Sequence, residues 1–328
     1  MALMSEIMKG REKETIHKPV NWVVCTMPQH MEVLRILKAT GKIAGVPTPH
    51  VDWDTNFFPE FKNKMKDGVG WWANAGKILK LKPDVVLLPA VPGPWGVSAD
   101  ELQKKLEGSI TVLPFTFNQP KTFSDELKEI AHILDKEEEA EEFIGWHERI
   151  KNSILDVTGK IKDEDRPRVY VEWTNCQVAD EDDELISMAG GKDIFAGSGQ
   201  VEVSKEEIMN KNPEVVIRVV WVGNSYGRDA KATKEFEELR KRIMERAELR
   251  DTRAVKRGKV YIITSDLWTY LPYSGCRHLI GLCYLAKWFH PELFEDIDPE
   301  AVHQEYLTRF QGLDIDLNEK GVFVYPRA

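Results

Sequence analysis

Residues 208–223 read IMNKNPEVVIRVVWVG, and residues 78–93 read ILKLKPDVVLLPAVPG. The two stretches share one order: an apolar start, polar residues, a proline, an acid, a Val-Val pair, an apolar run and a glycine. The second copy follows the first by 130 residues at both the isoleucine (Ile78, Ile208) and the proline (Pro83, Pro213). Each copy predicts the end of a helix, a proline stop, and a buried parallel strand that opens into a glycine-bearing loop. A chain that carries this unit twice is expected to have two similar lobes.

Working outward, the first half predicts a strand at 22–26, a helix to Ala39, a strand around IAGV, the AGKILKL helix, the VVLLP strand, a helix over 99–107 and the strand ITVLPF. The second half repeats this alternation from RPRVYVEW (166–173) through the helix ELISMAGG, the copy at 208–223, a charged helix near 229–247, the strand KVYIIT and a helix from about Ser274 to His290. Alternating strands and helices predict parallel sheets covered on both faces. Between the halves, residues 121–161 place Leu127, Ile130, Ile133, Leu134, Phe143, Ile144, Ile150 and Ile154 at helical spacing, without an internal proline. This predicts one stiff helix joining a lobe over 20–120 to a lobe over 162–328, since a flexible linker would be rich in Gly, Ser or Pro. The fold class is thus α/β, two Rossmann-like lobes with parallel sheets bridged by one long helix.

The composition is that of a globular protein: 328 residues, 42% hydrophobic and 30% charged, a length that suggests about two domains. A formal charge of −9 without a basic stripe argues against a nucleic-acid partner. The acidic run DKEEEAEE (135–142) reads as the solvated face of a helix. No run of about 18 apolar residues is present. The first 19 residues are polar and lack the apolar centre of a secretory leader, so either the protein is cytoplasmic or a native leader has been exchanged for a short start. Cys25, Cys176, Cys276 and Cys283 show no CxxC spacing and point to neither a zinc site nor a disulfide framework, and Cys276 and Cys283, seven apart on one helix, read as core residues.

Open parallel sheets bind ligands beyond the carboxyl ends of their strands. Six of the ten tryptophans fall on or beside such loops: Trp71, Trp72 and Trp95 in the first half, and Trp173, Trp221 and Trp268 in the second. Tyr226, Arg228, Tyr270 and Tyr273 accompany them. Large stiff aromatic faces suit a large, flat or greasy ligand. The expectation is that the two groups of aromatics line one cleft. Individual tryptophans also serve as ordinary core residues, which for any single one is an equal alternative.

No phosphate-binding glycine loop and no nucleophile elbow are present, so no catalytic residue is assigned and the chain is not expected to be an enzyme. His30, His50 and His278 lie near predicted strand ends and are weak candidates for metal ligation; lone histidines are more often structural.

The stretches AGKILKLKPDVVLLP, MAGGKDIFAGSGQVEVSKEEIMNKNPEVVI and AVKRGKVYII, together with the terminal helix and YLAKWFHPELF, resemble the solute-binding proteins of ABC importers for ferric siderophores, haem and cobalamin. The resemblance covers roughly residues 20–312 and is most specific in the second lobe. It implies capture of a small-molecule metal complex between lobes and delivery to a membrane permease, without chemistry and without a cofactor beyond the bound ligand. It also implies an extracytoplasmic location, in the periplasm or on a lipoprotein anchor, and a monomer. The family docks its permease through one acid per lobe. Glu206 in VSKEEI matches the second, whereas the first-lobe position reads Ala75-Gly76-Lys77 and lacks the acid. Arg218, Arg228, Arg277 and His278 are candidate cations and tilt the expected ligand toward an anionic iron chelate over a corrinoid or haem. The rivals are a cytoplasmic corrinoid- or metal-handling relative without a permease, and a two-lobed transferase.

Overall fold

The computed structural model describes residues 3–9, 12–47, 57–65, 68–70, 73–90, 96–106, 110–117, 119–178, 183–199, 201–221, 232–267, 275–319 and 321–327. The chain opens with an antiparallel hairpin of β1 (Leu3–Lys9) and β2 (Glu12–Lys18), in the stretch that the sequence reading treated only as a polar start. The chain divides as two compact units, Met1–Trp146, which includes the hairpin, and His147–Ala328.

The first unit carries a four-stranded parallel sheet of β3 (Val23–Cys25), β4 (Ile43–Gly45), β5 (Val85–Leu88) and β6 (Thr111–Pro114), in the order β4-β3-β5-β6. Its helices are α1 (Pro28–Ile36), the short α2 (Lys62–Met65), α3 (Ala75–Leu81), α4 (Ala99–Lys105) and α5 (Phe123–Leu134). Helix α6 (Glu137–Thr158) contains the division between the units.

In the second unit, β7 (Arg168–Glu172), β9 (Lys192–Asp193), β11 (Val215–Val220) and β12 (Val260–Thr264) pair in parallel in the order β9-β7-β11-β12. A short antiparallel strand, β13 (Val324–Tyr325), closes the β12 edge. A small ribbon of β8 (Gln177–Val178) and β10 (Val201–Glu202) stands apart from this sheet. The helices are α7 (Asp183–Met188), α8 (Lys205–Lys211), α9 (Lys234–Glu245), α10 (Arg253–Lys256), α11 (His278–Phe289) and α12 (Pro299–Glu305). Renumbered within each unit, both parallel orders are 2-1-3-4.

The repeated sequence unit does the same local work in both copies. Asn74 and Ser204 cap α3 and α8 through side-chain oxygens that accept the N–H of Lys77 and Glu207. Ile78 and Ile208 are the fully buried residues of these short helices. Lys82 and Asn212 end the helices in the left-handed region, at φ 49° and 44°. The acid after the proline then ties down the neighbouring strand. Asp84 Oδ2 accepts the N–H groups of Asn21 and Trp22 at 2.7 and 2.9 Å, just before β3. Glu214 Oε2 accepts the N–H of Arg168, the first residue of β7, at 3.3 Å. Val85–Leu88 and Val215–Val220 are buried along their whole length, as strands covered on both faces must be.

The single long helix expected over 121–161 is instead two helices. α5 closes at Asp135, which takes φ 56°, and Lys136 N–H returns to the Ala131 carbonyl. Aspartate tolerates this left-handed turn better than most residues. The acids that follow, Glu137, Glu138 and Glu139, occupy the first turn of α6, where the positive end of the helix dipole favours them. What reads as one acidic face is therefore a helix stop and a new start. Residues 159–161 leave α6 in a turn.

Candidate functional site

In an open sheet of order 2-1-3-4 the crossover connections leave strands 1 and 3 in opposite directions, and the carboxyl ends of that strand pair flank the ligand crevice. In the second unit this pair is β7 and β11. The residues that follow them directly are Trp173 and Trp221, whose rings lie 5.7 Å apart at 48°. Trp221 is 51% exposed, an unusual state for so large an apolar ring, and Trp173 is half-buried.

Beneath this pair lies a cluster of buried charge. Glu172 and Arg218 are register partners across β7 and β11. The Glu172 carboxylate is fully buried; its Oε1 accepts Arg218 Nε and Nη2 at 3.0 and 2.7 Å and Arg246 Nη1 at 2.6 Å. Its Oε2 accepts the Tyr170 hydroxyl at 3.0 Å and the Cys176 N–H at 3.2 Å. Arg246 Nε donates to Glu248 at 2.7 Å, and the exposed Asn175 Oδ1 accepts from both Arg218 and Arg246. Two arginines thus meet two glutamates, and the cluster is close to neutral. Burial works against the charge on Arg246, yet Glu172 and Glu248 hold it more firmly protonated than usual. Burial and then the Glu172 charge push the Tyr170 phenol up, and burial raises the Cys176 thiol above its ordinary value. That thiol is a poor nucleophile or metal ligand at neutral pH.

The loop after β7 is a tight turn. Trp173 N–H donates to the Gln177 carbonyl at 3.0 Å, and Thr174 and Gln177 form an isolated antiparallel bridge. Cys176 sits within it at φ 64°, a left-handed conformation that a residue with a Cβ adopts at some cost.

Of the aromatic set named from sequence, the structure describes Trp173 and Trp221 and brings them together. Trp71, Trp72, Trp95, Tyr226, Arg228, Trp268, Tyr270 and Tyr273 lie outside the described residues, as does His50. His30 is buried, with Nε2 2.8 Å from the Phe115 carbonyl and its ring edge-on to Phe117. His278 is buried with Nε2 3.2 Å from Nε2 of His147, one ring donating to the other. Arg277 is buried as well, and Arg218 is engaged by Glu172. Among the described residues no group of three or more His, Cys, Asp and Glu is arranged to hold a metal ion. The four cysteines are buried and unbridged.

Glu172, Asn175 and Arg246 were not singled out in the sequence. A signal was present: RVYVEW and VVIRVV each place one charge in an apolar strand, which is tolerated when the two charges meet.

Glu206 is exposed in the first turn of α8, beside Glu207, which completes a reciprocal cap with Ser204. The residue 130 positions earlier, in the first turn of α3, is Gly76. No described helix is long and apolar enough to cross a membrane.

Comparison with known proteins places the chain in a family. The molybdate-binding protein MolA of Haemophilus influenzae is 22% identical over 91% of this chain and 88% of its own. Its molybdate-bound structure superposes with a TM-score of 0.67 at 20% identity, covering 93% of this chain and 97% of that one. The TroA-like periplasmic binding protein FepB from Veillonella parvula gives a TM-score of 0.76 at 21% identity over 97% of both chains. Helicobacter pylori CeuE with Ni(II) bound gives 0.66 at 17% identity, over 96% of this chain and 98% of that one. At these identities the likeness shows the fold. The sequence model of the periplasmic binding protein family matches residues 23–267, and the chain therefore belongs to that family of solute-binding, non-enzymatic proteins.

Proposed function

We propose that this protein captures a large metal complex, foremost an iron chelate of the siderophore type, outside the cytoplasmic membrane and hands it to the permease of an ABC importer. The observation that carries the reading is the Trp173–Trp221 pair, one ring half-buried and the other exposed, at the carboxyl ends of β7 and β11. An aromatic face of this size rewards a ligand with an extended apolar surface, about 1.5–3 kcal/mol for each ring buried. The protein acts as a monomer in this scheme, with Glu206 as the acidic contact for the permease.

A small oxyanion is the alternative, favoured by the likeness to a molybdate-binding protein. Such a ligand needs a convergence of unspent donors. The arginines described beside the tryptophan pair, Arg218 and Arg246, are already neutralised by Glu172 and Glu248. This supports the chelate, with haem or cobalamin next, over the bare oxyanion.

The test is a titration of intrinsic tryptophan fluorescence with a ferric siderophore, hemin, cobalamin and molybdate, repeated on Trp221→Ala. Quenching by one of the metal complexes, weakened about tenfold or more in the variant, is expected. Binding of molybdate alone, or of none of the four to folded protein, would overturn the proposal.

A further inference from the structure

The ion cluster under the tryptophan pair is more elaborate than stability requires. Replacing a buried ion pair by apolar residues of similar volume is often neutral or stabilising, so four charges at one place call for another reason. Two of the four charges are tied to a ring by a short stretch of backbone. Glu172 directly precedes Trp173, and Arg218 stands three residues before Trp221 on the strand paired with β7. The strained turn that carries Trp173 is held from below, because Glu172 Oε2 accepts the Cys176 N–H while Asn175 Oδ1 accepts from both arginines. Arg246, from just beyond α9, reaches the same carboxylate and the Cys176 sulfur, the latter at 3.6 Å.

We propose that Glu172, Arg218, Arg246 and Asn175 are positioning residues that fix the Trp173–Trp221 pair in its binding geometry before any ligand arrives. The value of the pair for ligand capture rests on the function proposed above; its fixed geometry does not. A loop preset in this way spares the ordering cost that a mobile aromatic loop would incur on binding.

The readout is the exciton couplet that two close, tilted indoles produce in far-ultraviolet circular dichroism, recorded on the whole chain without ligand. Trp221→Phe identifies the signal by abolishing it. In Arg246→Met and Asn175→Ala the couplet is expected to fall by at least half while the helical signal persists, with partial recovery in Arg246→Lys. Should Arg246→Met fail to fold, Asn175→Ala decides alone, since it removes an exposed amide and leaves the buried charges in place. A couplet unchanged in folded Asn175→Ala, or the lack of any Trp221-dependent couplet in the parent protein, would overturn the proposal. Affinity for hemin or a ferric siderophore should also drop about tenfold in Asn175→Ala. If neither probe binds the parent protein while the couplet behaves as described, the ligand assignment fails and the positioning role stands.

Discussion

His30 is enclosed by the first unit, its Nε2 2.8 Å from the Phe115 carbonyl. Burial disfavours the imidazolium and outweighs that carbonyl, lowering the pKa from 6.5 to about 4. At pH 7 the folded ring is neutral and the unfolded one mostly so, and the histidine contributes little pH dependence there. Below about pH 6.5 the unfolded chain takes up a proton that the folded one refuses, so stability falls as pH drops and keeps falling until about pH 4. The loss over that window is on the order of 3 kcal/mol. Burial also lowers His147, which adds to the trend in the same direction. Urea melts at pH 7, 5.5 and 4 should show the decline, and His30→Gln, which can still donate to Phe115, should flatten it relative to the parent. Equal acid slopes in the two proteins would assign the decline elsewhere.

Among the elements, the proline-acid-valine repeat predicts comparable consequences in the two units. Asp84→Ala deprives two N–H groups of their acceptor and should cost about 1–2 kcal/mol in denaturant melts, whereas Asp84→Asn, which keeps one oxygen, should cost less. No loss in the alanine variant would mean that water replaces the carboxylate freely. Helix α11 makes a sharper demand. A Cβ on Gly281 would lie 2.1 Å from the Leu267 carbonyl oxygen, a backbone atom that cannot swing aside. Gly281→Ala should therefore destabilise by about 1–3 kcal/mol or displace the chain just after β12, seen as a lowered melting temperature. The main strands and their succession along the chain were legible because a buried parallel strand writes itself as an apolar run, in β5 and β11 directly after a proline and an acid. The break at Asp135 was not, since a helix that stops and restarts keeps its apolar period and differs only in the φ of one residue. β9, β10 and β13 are two-residue strands whose pairing is set by tertiary contacts rather than by any local pattern. At the site, Trp173 and Trp221 could be named in advance because their place after a strand is a sequence property. The cluster below them depends on Arg246, which lies 74 residues from Glu172 and meets it only in the fold.

On the scale of the molecule, the two units repeat one topology but present different chemistry at matching places. The first turns of α3 and α8 align at the 130-residue offset, and there the first unit has Gly76 where the second has exposed Glu206. One turn further, both helices leave an apolar side chain in solvent, Leu79 at 39% and Met209 at 51% exposure. A permease that recognises the chain through charge would then find an acid on the second unit and none at the equivalent place on the first. An exposed carboxylate with no ion pair among the described residues costs little to bring against a cation, while a like charge at close range is repelled. Glu206→Arg should consequently lower import by several-fold in a reconstituted transporter, and the defect should ease as ionic strength rises if attraction at long range is what was lost. Ligand affinity measured by tryptophan quenching should not change, because Glu206 lies on α8 and the aromatics proposed to bind the ligand follow β7 and β11. Charge reversal at Lys77, the neighbour of Gly76, should have a much smaller effect on import. Unchanged transport in Glu206→Arg would remove Glu206 from the docking surface, and equal defects at Lys77 and Glu206 would mean that the permease does not distinguish the two units by their charge.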